Sequence, residues 1–208
     1  MRTPFLTYAL AGAVVLTLGA GGAVVAQAAL TQNPAEVRAG AYDLDSGHGK
    51  ITWSVNHLGF SKYVGQFVNV QAQLTLDPAN PSASTLTATI PLADVAPNDD
   101  RLKAHLQTAD FFDTANHPTA TFVSRSVMVD SDDPMEATVV GDLTLRGVTK
   151  PVTIEVDFNQ AGEAMGSYKA GFDGEATIKR SDFGINYALP AVSDEVELHI
   201  EGEFVMKS

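Results

Sequence analysis

Apolar and polar residues alternate along much of the chain. In 51–57, Ile51, Trp53 and Val55 share one parity and Thr52, Ser54 and Asn56 the other. Successive side chains of a β-strand point to opposite faces, so this pattern predicts a half-buried strand. One step further, the apolar parity reaches His57, an ionisable ring, just before Leu58-Gly59-Phe60 ends the alternation. The core face of this strand therefore ends in a polar rim.

The same period recurs down the chain. A first strand is predicted over 42–45, and Val68 to Leu76 carries apolar residues on even positions and polar ones on odd. Leu86, Ala88 and Ile90 alternate with threonines up to Pro91, and further alternating runs cover 120–129, 138–145, 152–158, 168–178 and 196–206. Turn residues punctuate them: Asp77-Pro78, Asp132-Asp133-Pro134, Arg146-Gly147, Asn159-Gln160-Ala161-Gly162 and Pro190. Eight or nine strands with short connections, each half polar, predict an antiparallel sandwich or barrel.

One segment breaks the period. Residues 99–109 open with two aspartates suited to a helix N-terminus and place Leu102, His105, Leu106 and Ala109 on one helical stripe. This predicts a short helix, ended by Asp110-Phe111-Phe112-Asp113, well placed to cover a barrel end.

The first residues differ from everything after them. Arg2 is followed by an uncharged run from 5 to 30 and by Ala26-Gln27-Ala28, the layout of a cleavable secretory signal over 1–28. An uncleaved anchor is the alternative, since the run is long enough to span a bilayer. Residues 29–41, with Asn33-Pro34 and little periodicity, are expected as a linker. The chain has no cysteine, which excludes disulfides, thiolate metal sites, a cysteine nucleophile and a lipidated cysteine. Its net charge of −12 argues against nucleic acid and against general adhesion to anionic membranes. There is no glycine-rich phosphate loop, no G-x-S-x-G elbow and no zinc-type histidine spacing.

A set of motifs resembles the YceI-like, polyisoprenoid-binding lipocalin-like family. They are Tyr42-Asp43-Leu44-Asp45-Ser46-Gly47-His48, the strand 51–57 with Leu58-Gly59-Phe60, Gly65-Gln66-Phe67, and Arg101-Leu102-Lys103-Ala104-His105-Leu106 through Phe112-Asp113. His117-Pro118, the run from Gly141 to Val152, and Arg180-Ser181-Asp182-Phe183-Gly184 follow in order. The resemblance spans 42–208 and implies an all-β, eight-stranded antiparallel lipocalin-like barrel with one short helix near its mouth. It also implies export to the periplasm and an isoprenoid or fatty-acid-like lipid held inside. Trp53 stands where the family more often has phenylalanine, and Lys103 where it often has an acid.

Trp53, Val55, Phe67, Phe122 and Phe183 are the candidates for the apolar wall. His57, Arg101 and His105 are those for the polar mouth, because Arg101 and His105 lie four apart on the predicted helix. Arg146 is expected as a turn residue and Phe111-Phe112 as the pair that docks the helix. The leading expectation is a periplasmic lipid carrier with no cofactor and no metal. An enzyme using His57 or His105 as general base lacks a nucleophile motif. The remaining alternative is a barrel that works through a protein partner, in stress response or beside a membrane redox protein. An exposed strand edge would support a homodimer, and a metal held by His48, His57, His105 and His117 is a minor variant.

Overall fold

The computed structural model describes residues 30–208, so the expected signal segment lies outside the described residues. Eleven strands among them form one antiparallel sheet: β1 Gly40–Leu44, β2 Lys50–His57, β3 Ser61–Phe67, β4 Gln71–Leu76, β5 Thr85–Pro91, β6 Val95–Ala96, β7 Thr119–Val129, β8 Glu136–Leu145, β9 Val148–Ala164, β10 Ser167–Lys179 and β11 Glu195–Met206. Helix α1, Asp100–Leu106, lies between β6 and β7, its N-terminus capped by the Asp99 carboxylate accepting from the Arg101 and Leu102 amides.

The sheet closes because β11 pairs with β1 at one end and with β2 further along. β1 with β2, β3 with β4, and β5 with β6 each form one interrupted stave, so the barrel has eight staves. The interruptions are Ser46-Gly47-His48-Gly49, Val68-Asn69-Val70 with Asn69 left-handed at φ 58°, and the one-turn 3-10 helix Leu92–Asp94. Each shifts the inward parity. Tyr63, Gly65 and Phe67 sit opposite the inward residues of β2, whereas Val70, Ala72 and Leu74 point inward after the break. A single run of alternation from 68 to 76 therefore misses β3 altogether.

Closure consumes the strand edge invoked for a homodimer, since β1 and β11 pair with each other. The turn expected at 159–162 is instead continuous strand. Pairing of β10 shifts from Phe172↔Phe158 to Gly171↔Gln160, leaving Asn159 as the extra residue of a bulge, where turn-like residues are at home. The hairpin turns at Met165-Gly166, with φ of 51° and 85°, the backbone of a two-residue primed turn. The segment expected as a linker is docked: Thr31 bridges Ala161, Pro34–Glu36 forms one 3-10 turn, and Val37 is buried.

Candidate functional site

Inward parity from eight staves gives the barrel an apolar lumen of two chambers. The lower, about 360 Å3, is walled by residues such as Leu86, Phe122, Val139, Ile154 and Phe172. The upper, about 400 Å3, lies beneath α1. Ile51, Ile90, Leu143 and Leu198 line both, an apolar belt that stands between the two chambers. At the lower end Val37 packs with Tyr42 and Tyr168 in a buried cluster. The Tyr42 hydroxyl donates to the Arg38 carbonyl at 2.5 Å, and the Arg38 amide donates to the Tyr168 hydroxyl at 3.2 Å. Burial pushes the Tyr42 phenol up to about 12, so it stays a neutral donor at any physiological pH.

In the upper chamber, Trp53 on β2 lies over Gly65 of β3, its direct cross-strand partner. The indole stacks on Tyr63 with ring centroids 6.0 Å apart and planes 22° from parallel. Trp53 is only 7% exposed. Its Nε1 and the Tyr63 hydroxyl oxygen are both buried without a hydrogen-bond partner. From α1 and the segment after it, Leu102, Leu106, Phe111 and Phe112 complete the wall, Phe112 tilted against Phe67 at 5.5 Å.

The upper end is strapped by residues 184–194, built around one cation. Arg180, 6% exposed, donates through Nε to Ser193 O at 2.8 Å, and through its terminal nitrogens to the carbonyls of Ile185, Tyr187 and Val192 at 3.0, 2.8 and 2.9 Å. Burial pulls its pKa down from the usual guanidinium value. Asp194 ties the other end of the strap, accepting from the Ser181 amide at 2.8 Å and the Ser181 hydroxyl at 2.7 Å. His105 completes the cover: Nε2 meets Asp110 at 2.8 Å, and the ring stands edge-on to Phe111 and Tyr187.

Trp53, Val55, His57, Phe67 and His105 thus line the upper chamber and Phe122 the lower. Arg101 lines neither. Its side chain is 94% exposed and reaches back to Asp99 at 3.4 Å, because α1 docks through Leu102 and Leu106 and leaves Arg101 on the outer side. Phe183 also lines neither; it is buried with Val70, Leu92, Leu145 and Ile185, anchoring the one-turn helix Arg180–Phe183. Arg146 occupies its hairpin turn with φ 51° and donates to the carbonyls of Phe111 and Gly184, linking the segment after α1 to the strap. Phe111 and Phe112 both dock the helix segment and line the chamber. The histidines do not gather: His48 pairs with Asp45 at 2.9 Å, His105 with Asp110, and His117 lies against Gly147. Sequence reasoning missed Tyr63 and Arg180. The alternation Tyr63, Gly65, Phe67 was the available signal for the first; nothing local marks the carbonyl cage of the second.

A closed eight-stave barrel with two apolar chambers inside it is a small-molecule-binding architecture, wide enough for one ligand. The YceI-like domain model matches residues 42–204, and the chain belongs to the YceI-like family. It is 40% identical to protein YceI of Escherichia coli over 166 residues, 79% of this chain and 85% of that one. A UPF0312 protein of Pseudomonas paraeruginosa is 40% identical over 162 residues, 77% of this chain and 83% of the relative. Among solved structures, Burkholderia cenocepacia BcnA is similar at TM-score 0.68 and 26% identity, covering 77% of this chain and 98% of BcnA. A polyisoprenoid binding domain from Saccharophagus degradans shares the fold at TM-score 0.60 and 13% identity, covering 82% of this chain and all of that one.

Proposed function

We propose that this chain is an exported, periplasmic binding and carrier protein for an isoprenoid or other long-chain amphiphilic lipid lodged in its barrel. The observation that carries this reading is the lumen itself: two adjacent apolar chambers that share a belt of lining residues and are left unfilled by side chains. Burying about twenty methylene-like carbons at ~0.8 kcal/mol each supplies a gross ~16 kcal/mol. Association and ordering remove part of this, and half of it still leaves affinity near or below micromolar. The description of the Saccharophagus degradans neighbour as a polyisoprenoid binding domain agrees with such cargo. No step of bond-making is required of the site, and the reading is of a binding protein and not an enzyme.

The test is native mass spectrometry of protein exported in a host of its own type, followed by organic extraction. A stoichiometric long-chain isoprenoid or fatty-acid derivative is expected in the extract. A clean apo mass that stays apo after incubation with such lipids overturns the reading and moves the search to protein partners, a membrane redox protein among them.

A further inference from the structure

Three connecting segments line the end of the lower chamber. Residues 77–84 join β4 to β5 and contribute Pro78 and Pro81; residues 130–135 join β7 to β8 and contribute Pro134 and Met135. Both are hairpin connections, fixed at two ends because the strands they join pair with each other. The third segment, 30–38, places Pro34, Ala35 and Val37 on the chamber and runs into the sheet at one place, Gly40 at the start of β1. Its far end is held where Thr31 bridges Ala161 of β9. β10 and β11 stand between β9 and β1 in the sheet, so the segment crosses the barrel end as a chord.

The fastenings of this chord are few and lie at the rim. Thr31 and Ala161 exchange both backbone hydrogen bonds, at 2.8 and 2.9 Å. Arg38 meets Glu163 at 2.6 Å, both side chains partly exposed, and its guanidinium stands 4.2 Å from the centre of the Tyr168 ring. Exposed contacts of this kind are weak. The Tyr42 and Tyr168 hydroxyls add one bond each to the Arg38 backbone, and Val37 is the one residue of the segment that is buried. The upper end is fastened more heavily. Its strap is joined to staves on both sides, takes four hydrogen bonds from the buried Arg180 and is tied again by Asp194 and Arg146. Local opening is easiest where the fewest buried contacts and hydrogen bonds must break, and that is the lower end. Gly40 supplies a pivot, with φ 150°, a backbone conformation that is essentially restricted to glycine. The segment lies before residue 42, outside the matched YceI-like domain, so the family likeness assigns it no role.

We propose that residues 30–38 are a gate, which swings about Ala39-Gly40 to open the lower chamber, and that a ligand enters and leaves past it and not beneath α1. This rests on the reading that the lumen holds a ligand, and adds the route and the moving part. A gate of this kind sets rates and not affinity, because the closed end states are the same however often it opens. Entry and release therefore change by one factor.

The chain has no cysteine, so an added pair can form only one disulfide. Thr31 and Ala161, as a hydrogen-bonded antiparallel pair, have Cα atoms about 5.5 Å apart, within disulfide range. In the variant carrying Thr31→Cys and Ala161→Cys, oxidation locks the segment and dithiothreitol frees it. Entry is read by stopped-flow fluorescence of N-phenyl-1-naphthylamine, and release by chasing the bound dye with excess farnesol, which displaces it. Oxidation is expected to slow both rates at least about tenfold and leave the dye's Kd unchanged, and reduction to restore them. Arg38→Ala, in the otherwise unaltered chain, is expected to speed both rates by about three- to tenfold. Rates that ignore oxidation, or that Arg38→Ala leaves unchanged, overturn the gate while the lipid reading stands, and so does an oxidised form whose Kd moves as far as its rates. Failure of the dye and of farnesol, the latter read by Trp53 emission, to bind the wild-type protein overturns both.

Discussion

Gly65 shows how a single residue sets the shape of the upper chamber. A Cβ built there lies 2.2 Å from Trp53 Cζ2 and 2.6 Å from Cε2, far inside van der Waals contact. Glycine in a strand interior weakens the strand, and here the missing side chain is what lets the indole lie flat across it. Two effects therefore oppose each other in Gly65→Ala: a gain in strand propensity and a collision with a rigid ring that cannot swing aside within a packed wall. The collision dominates, since overpacking of this kind costs about 1–3 kcal/mol against about 0.5–1 kcal/mol gained. Gly65→Ala is expected to lower Tm and to shift or quench emission from Trp53, the chain's one tryptophan. Unchanged emission together with unchanged Tm would show that the indole does not rest on this glycine. The same position makes Trp53 a direct reporter of any ligand that enters the upper chamber of the wild-type protein.

The elements that close the barrel differ from those that form its wall, and they were unequally legible. Unbroken alternation marked β5, β8, β10 and β11, because each keeps one core face over most of its length and the period of two survives in the sequence, whereas in β7 a bulge at Ser124–Ser126 moves the inward parity from Ala120 and Phe122 to Val127 and Val129. α1 was legible from Asp99 and its stripe. β3 was not: its inward face holds Gly65 between Tyr63 and Phe67 while Val64 points outward, so the period of two is blurred, and the legible run begins only at Val68, on the far side of the parity change at the left-handed Asn69. The mouth residues were half legible. His57 and His105 carry parity and stripe positions that lead to the chamber, whereas Arg101 shares an i, i+4 spacing with His105 but lies on the far side of the docking edge. The strap 184–194 has no periodicity to read, because it is held by Arg180 and Asp194 through backbone carbonyls and Ser181. That construction has a pH signature. Hydrogen bonds from Ser181, with smaller help from Arg180 and Lys179, hold the Asp194 carboxyl below its ordinary 3.8. A lowered folded value means that its contribution is fully present above 3.8 and is lost as pH falls through the folded pKa. Amides of the strap, corrected for intrinsic exchange rate, are expected to lose hydrogen-exchange protection in that acid window before those of the barrel staves, and Asp194→Asn to lose it already at neutral pH. Strap protection that tracks the staves through the whole acid range would show that Asp194 does not fasten it.

At the scale of the whole molecule, the unfilled lumen is a cost that the fold carries. Cysteine-free and without disulfides, the chain depends on its packing, yet residues as small as Ala88 and Ala176 face the lower chamber, where larger side chains would fit. Empty apolar space forfeits dispersion contacts, so filling it should stabilise the empty protein. It should also remove the room for a lipid tail. The double variant Ala88→Leu, Ala176→Leu separates a barrel built to be packed from one built to be occupied. If the lumen is the binding site, the variant's Tm rises by roughly 2–6 °C, as about 1–2 kcal/mol of added burial would give in a domain of this size, and farnesol affinity falls at least about tenfold. Overpacking is the competing effect in a dense core, and the open volume around these two alanines keeps it small. Two measurements, a thermal melt and a displacement titration, then test one statement from opposite sides. A stabilised variant that binds farnesol as well as wild type would mean that the cargo lies outside the barrel; a destabilised one that binds nothing would mean that the lumen closes on itself without ligand. Stability gained and binding lost together is the outcome that a carrier predicts, because only there does the same volume serve two uses that exclude each other.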